Sequence, residues 1–315
     1  MAEPKEFRKR LDALNREALP AREGSASEIE QIRRRIRKMR QEAPQRPPEP
    51  VHYRRDLPRA GARPQAAAPV GPPVALEEAA EGVEVTAPSG GRAYVIETAM
   101  ADCGEEWTAL SGRFKEALAR ERSPLRRRIW AACGVPELAP EDVIFLDLET
   151  TGLAGTPLFL IGTMAWKGDG LVVKQCFARN YAEERAVISL FLQEAAHRSL
   201  LVSFNGKSFD VPYVRVRAVA NGAPFSLLLA HLDLLHESRR AWRRRLPDCR
   251  LQTLERHICG RLRHGDIPGS EIPDAYHAYV RTGNAVQMLD VLEHNRFDLA
   301  TLAELMLHLP EPRER

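Results

Sequence analysis

Three apolar runs, VIFLDLE (143–149), LFLIGTMAW (158–166) and LVVKQCFA (171–178), follow one another with only turn residues between them. Runs of this length, rich in β-branched and aromatic residues, read as strands, and the KGDG between the second and third suits a tight hairpin. The chain then changes character. AEERAVISLFLQEAAH (182–197) has helical periodicity, SLLVSFNG (199–206) reads as a buried strand, PYVRVRAVANG (212–222) as a helix closed by Asn-Gly, and SLLLAHLDLL (226–235) as a further strand. Helical patterns fill 250–260, 272–283 and 285–309. Hairpin strands followed by alternating helices and strands predict an α/β chain with a central mixed β-sheet flanked by α-helices.

The first 80 residues do not have the pattern of a packed domain. Within 25–43, Ser27 and Glu30 have capping-box spacing, and Ile29, Ile32, Ile36 and Met39 form one narrow stripe among arginines and lysines. Residues 27–42 are therefore expected to form a helix. It is either a solvated or short coiled-coil segment, or a basic arm for nucleic acid or a protein partner. Nine of the chain's 23 prolines lie in 44–73, which predicts an extended, largely disordered linker. Residues 81–141, with a strand at 92–100 and helices at 107–120 and 125–134, are expected to pack as an extension on the domain at 142–309, leaving 310–315 as a tail.

Of the chain's 315 residues, 44% are hydrophobic, which is ample for a core, and the formal net charge of +3 neither requires nor excludes a nucleic-acid partner. Five scattered cysteines without a CxxC pair argue against a zinc ribbon or a disulfide framework and fit a reducing cytosol. The N-terminus has no apolar signal segment and no run has the length of a membrane span, so the expectation is a cytoplasmic protein with no membrane association.

Two acids interrupt the first of the apolar runs. Residues i and i+2 of a strand share a face, so Asp147 and Glu149 project together from its C-terminal end. Two close carboxylates repel unless a positive charge joins them, and all-oxygen donors select hard ions such as Mg²⁺ or Mn²⁺. A surface pair, or one acid closing the TTG turn, is the plainer alternative. Asp210 sits where a helix begins after SFNGKSF, a position that also suits a helix cap. Nearby, Asn205 is a candidate to orient a phosphate or a carboxylate, Phe209 to pack under a base or in the core, and Lys207 to meet a phosphate. His294 and Asp298 are one turn apart on the last helix, either as a local pair or as a general base beside a metal ligand.

In this order, FLDLETTGL, FNGKSFDVPY and HNRFDLATL resemble the three motifs of the DEDD exonuclease superfamily on a ribonuclease H-like fold, and more closely the YprB-type domain, over 142–309. The second motif is also similar to the exonuclease motif of family B DNA polymerases. The resemblance implies two-metal phosphodiester hydrolysis with Mg²⁺ or Mn²⁺. Asp147 would bridge both ions, Glu149 and Asp298 would complete the shell of one, and Asp210 would hold the other directly or through water. His294 would orient or deprotonate the attacking water. The histidine subclass usually places four residues between its His and final Asp; here there are three, the spacing of the tyrosine subclass. The 3′→5′ polarity and a single-stranded DNA or RNA substrate likewise follow from the resemblance. A non-catalytic nucleic-acid-binding module and a structure-specific endonuclease are the alternatives. For substrate grip, ESRRAWRRRLPDCR (237–250) sets Trp242 among Arg239, Arg240, Arg243 and Arg244, which suits phosphate neutralisation with base stacking, or else a solvated helix anchored by a buried Trp.

Overall fold

The computed structural model describes residues 73–120, 123–135, 137–152, 155–263 and 265–311; the expected helix at 27–42 and nearly all of the proline-rich linker lie outside them. The principal elements are α1 (Leu76–Ala79), β1 (Val83–Thr86), β2 (Arg92–Ala99), α2 (Glu105–Ala119), α3 (Pro124–Cys133), β3 (Val143–Thr150), β4 (Leu158–Lys167), β5 (Gly170–Phe177), α4 (Glu184–Ala195), β6 (Leu200–Ser203), α5 (Asp210–Ala220), β7 (Ala230–Asp233), α6 (Leu234–Trp242), α7 (Leu251–Leu254), α8 (Ile272–Thr282) and α9 (Val286–Leu307). Among the described residues no helix is long and apolar enough to cross a membrane.

The strands form one seven-stranded mixed sheet in the order β1-β2-β5-β4-β3-β6-β7. The meander β3–β4–β5 is antiparallel throughout, and β6 and β7 add to β3 in parallel. The turn between β4 and β5 is a two-residue hairpin, with Lys167 opposite Gly170 and Gly168 at a φ of 60°. A left-handed residue suits the twist of such hairpins, and glycine takes it without strain. Segment 83–99 is integral to the sheet, β2 pairing antiparallel with β5 and β1 extending the edge.

Side chains alternate along β3. Ile144, Leu146 and Leu148 enter one core, with α4, α5 and α8, while Val143 and Phe145 enter a second, with α2 and α3. The phenyl rings of Phe145 and Phe114 lie 5.7 Å apart there. The same parity continues to Asp147 and Glu149, so the rows that fill the second core end in the two acids. Helix α9 joins the cores: Met288, Val291 and Leu292 belong to the first, and Leu299, Leu302, Leu305 and Met306 to the second.

One expected strand is shorter than its apolar composition suggests. Of 226–235, only Ala230–Asp233 is strand, and the chain turns into α6 at Leu234. The cause is Asp233, whose carboxylate caps the helix by accepting from the Leu235 amide at 3.0 Å. The helix expected over 250–260 is split into α7 and a wider π turn at Glu255–Cys259.

Candidate active site

Four of the acids singled out in the sequence are brought to one end of β3. Asp147 and Glu149 come from the strand itself, Asp210 from the first turn of α5 and Asp298 from α9. Burial holds the carboxyl groups of Asp147 and Glu149 well above the usual carboxylate range, and the neighbouring charges of Asp298 and Asp210 push the same way. Glu149 also feels Asp266, a residue that the sequence reading did not single out. Asp210 is raised to about 7, chiefly by burial.

The turn carrying Asp210 is built by close approach. A Cβ on Gly206 would lie 2.1 Å from Ser203 Oγ and 2.9 Å from Asp210 Oδ2, so only glycine fits. Asn205 before it adopts a left-handed φ of 65°, a conformation asparagine tolerates better than most residues. Asp233 fastens the turn, accepting from the backbone amides of Asn205 at 2.9 Å and Lys207 at 3.0 Å. The side chains of Asn205 and Lys207 are exposed, whereas Phe209 is half-buried against the first core, its ring 5.3 Å from Tyr213.

His294 is buried beside Asp298 and has a second carboxylate partner. Its Nδ1 lies 2.8 Å from Asp266 Oδ1, and its Nε2 lies 3.6 Å from Asp298 Oδ2. A carboxylate only accepts, so the Asp266 contact places the proton on Nδ1. The longer contact exceeds hydrogen-bond length and leaves Nε2 uncommitted toward the acids. Arg263 completes this side of the cluster. It is nearly buried and reaches Asp298 Oδ1 at 2.5 Å, Glu255 at 2.8 Å and Asp266 at 3.2 Å. Asp266 and Arg263 lie in an irregular loop with no periodicity to betray them.

On α9, Asn295 is fully buried and donates from Nδ2 to Asp147 Oδ2 at 2.8 Å, while its Oδ1 accepts from Gln175 Nε2 at 2.9 Å. In the sequence it reads only as a spacer between His294 and Asp298. A signal was present elsewhere: Gly162 interrupts an apolar strand, and an interior strand glycine marks close approach.

The arginine-rich segment divides by exposure. Arg239, Arg240, Arg243 and Arg244 are solvent-facing, and Arg240 pairs with Glu237. Trp242 is only 8% exposed and belongs to the second core, so its indole anchors α6 and is not offered to a base. Of the two expectations for Trp242, this corrects the base-stacking one and fits the buried anchor: the tryptophan falls on the buried face of α6 with Leu234, Leu235 and Ser238.

The chemistry of the donor set suits a hard divalent cation: four oxygen-donor acids, three of them held above their ordinary range by burial and by neighbouring carboxylates. Among the described residues no group of three acidic, histidine or cysteine side chains is already gathered into a coordination cage. Mutual repulsion acts in that direction, and Asp298 is turned to Arg263.

The fold and this cluster define a ribonuclease H-like domain, and comparison agrees: residues 144–310 match the RNase_H superfamily, to which the chain belongs. The domain is similar to protein YprB of Bacillus subtilis (strain 168), 34% identical over 173 residues. That match covers 53% of this chain and 42% of the relative, so it spans less than half of that protein. Among solved structures, the family B DNA polymerase of the hyperthermophilic archaeon Pyrobaculum calidifontis superposes with a TM-score of 0.44 and 14% identity, over 71% of this chain and 42% of that one.

Proposed function

We propose that the chain is a metal-dependent nuclease that hydrolyses phosphodiester bonds of nucleic acid, as a DEDD-type 3′→5′ exonuclease on single-stranded DNA or RNA. The observation that carries the reading is the convergence of Asp147, Glu149, Asp210 and Asp298, whose burial and mutual charge make a site that favours cations. Membership of the RNase_H superfamily supports it. These four residues would hold Mg²⁺ or Mn²⁺, with Asp298 exchanging Arg263 for a metal. Such ions, when bound, supply Lewis-acid polarisation of water and of the phosphate. His294, its tautomer set by Asp266, presents Nε2 to accept or orient the proton of the attacking water. Lys207 and the exposed Arg239, Arg240, Arg243 and Arg244 would meet backbone phosphates.

A second reading, a nucleic-acid-binding module without turnover, draws on the Arg263–Asp298 pair, which neutralises one of the acids internally. One experiment separates the two. The protein is incubated with Mg²⁺ or Mn²⁺ and end-labelled single strands of DNA and RNA, beside Asp147→Ala. A product ladder that disappears in the variant is expected, and its direction from 3′- and 5′-labelled strands reports polarity. Binding without cleavage under both metals would overturn the nuclease reading in favour of the module.

A further inference from the structure

Asp147 sits at the head of a row that crosses three strands. It pairs with Gly162 of β4, and Gly162 pairs with Gln175 of β5. Asn295 of α9 lies over the middle of this row, in a space that exists because Gly162 has no side chain. A Cβ there would fall 2.0 Å from Asn295 Oδ1. The orientation of the Asn295 amide is fixed by its surroundings. Gln175 Nε2 donates both to the Leu292 carbonyl at 2.8 Å and to Asn295 Oδ1 at 2.9 Å, so the Asn295 oxygen must face Gln175 and its NH₂ must face Asp147. That NH₂ reaches Asp147 Oδ2 at 2.8 Å, and both Gln175 and Asn295 are buried.

We propose that Asn295, aligned by Gln175 and seated by Gly162, is a positioning residue that sets the Asp147 carboxylate for divalent-cation binding. The proposal rests on the metal-dependent reading above and names the device that makes its central ligand rigid. Three features argue for it. The bond engages one carboxylate oxygen, which fixes the rotation of the group and leaves the other oxygen for a cation. The donor is neutral, so it holds the carboxylate without cancelling its charge, as a lysine or arginine there would do. The amide is held from behind by a second amide bonded to α9 itself, so strand and helix fix it together. Partners of this kind typically govern metal affinity through ligand orientation.

The test measures Mn²⁺ binding directly, by titration calorimetry and by the electron paramagnetic resonance of free Mn²⁺, on the full chain without nucleic acid. Wild type, Asn295→Ala, Gln175→Leu and Asp147→Ala are compared, with thermal unfolding of each metal-free protein as the measure of folding. Asn295→Ala is expected to weaken Mn²⁺ binding by about 10–100-fold. Gln175→Leu, which keeps the Asn295 donor but frees its amide to turn, is expected to weaken it by a smaller factor. Should Asn295→Ala fail to fold, Gln175→Leu decides alone. Variants that lose thermal stability yet bind Mn²⁺ as wild type does would overturn the positioning role while leaving the metal-dependent reading intact. Wild type that binds no Mn²⁺, indistinguishable from Asp147→Ala, would overturn both.

Discussion

At the scale of single residues, the site divides its titratable groups by what stands beside them. Asp147 has a neutral amide, Asp298 has an arginine and His294 has Asp266. The last of these pairs makes a kinetic prediction. Removing the imidazole in His294→Ala should lower kcat by about 10²–10⁴-fold, the usual contribution of a positioned general base. Asp266→Asn should lower kcat by less, because the imidazole remains but its tautomer is no longer dictated. Steady-state kinetics with KM little changed in both variants is the expected result, and an Asp266→Asn enzyme with wild-type kcat would detach Asp266 from the chemistry. The spacing of His294 from Asp298 is that of the tyrosine subclass, yet the two side chains still meet, since i and i+4 on a helix share a face.

At the scale of elements, the β3–β4–β5 meander was legible because each strand carries a long apolar run and the hairpin carries its own turn residues. The end of β7 was less so. Leu234 and Leu235 are buried whether they lie in a strand or on the inner face of a helix, and apolar composition does not separate the two. Asp233, which makes the difference, acts through a cap that periodicity ignores. Asp147, Glu149 and Asp298 were legible through their spacing on a strand and a helix, and Asp210 through its place at a helix start, whereas Asp266 and Arg263 were not, since a loop residue has no period. Element packing depends on buried ion pairs as well as on apolar faces. Glu184 of α4 is 2% exposed and accepts from Arg217 of α5, Asn221 and the backbone amide of Leu158. Arg217→Ala should therefore cost about 3–5 kcal/mol, because it leaves a buried carboxylate without its charged partner and with only the neutral donors Asn221 and Leu158. Denaturant unfolding measures this, and a change below about 1 kcal/mol would indicate that water reaches Glu184.

At the scale of the whole molecule, buried carboxyls tie stability to pH. The folded state raises Asp210 from an ordinary value of 3.8 to about 7, so it binds that proton more tightly than the unfolded chain does. The contribution is fully present below about pH 4 and is lost as pH rises toward 7. Asp147 and Glu149, shifted in the same direction, add to the loss. The metal-free protein should therefore lose thermal stability relative to Asp210→Asn as pH rises through this window. Mn²⁺, which favours ionised carboxylates, should restore most of the difference near neutrality. Melting curves from pH 4 to pH 8 with and without Mn²⁺ check this; parallel curves for the two proteins would show that Asp210 titrates normally.

Helix α9 has a consequence for control. Its 22 residues carry His294, Asn295 and Asp298 and also close both cores. A segment so committed is ill suited to act as a hinge, since withdrawing the reactive groups would dismantle the protein around them. Control of the nuclease proposed above would then fall to its loops, such as the one holding Arg263 and Asp266, which reaches Asp298 and His294 from outside the regular elements.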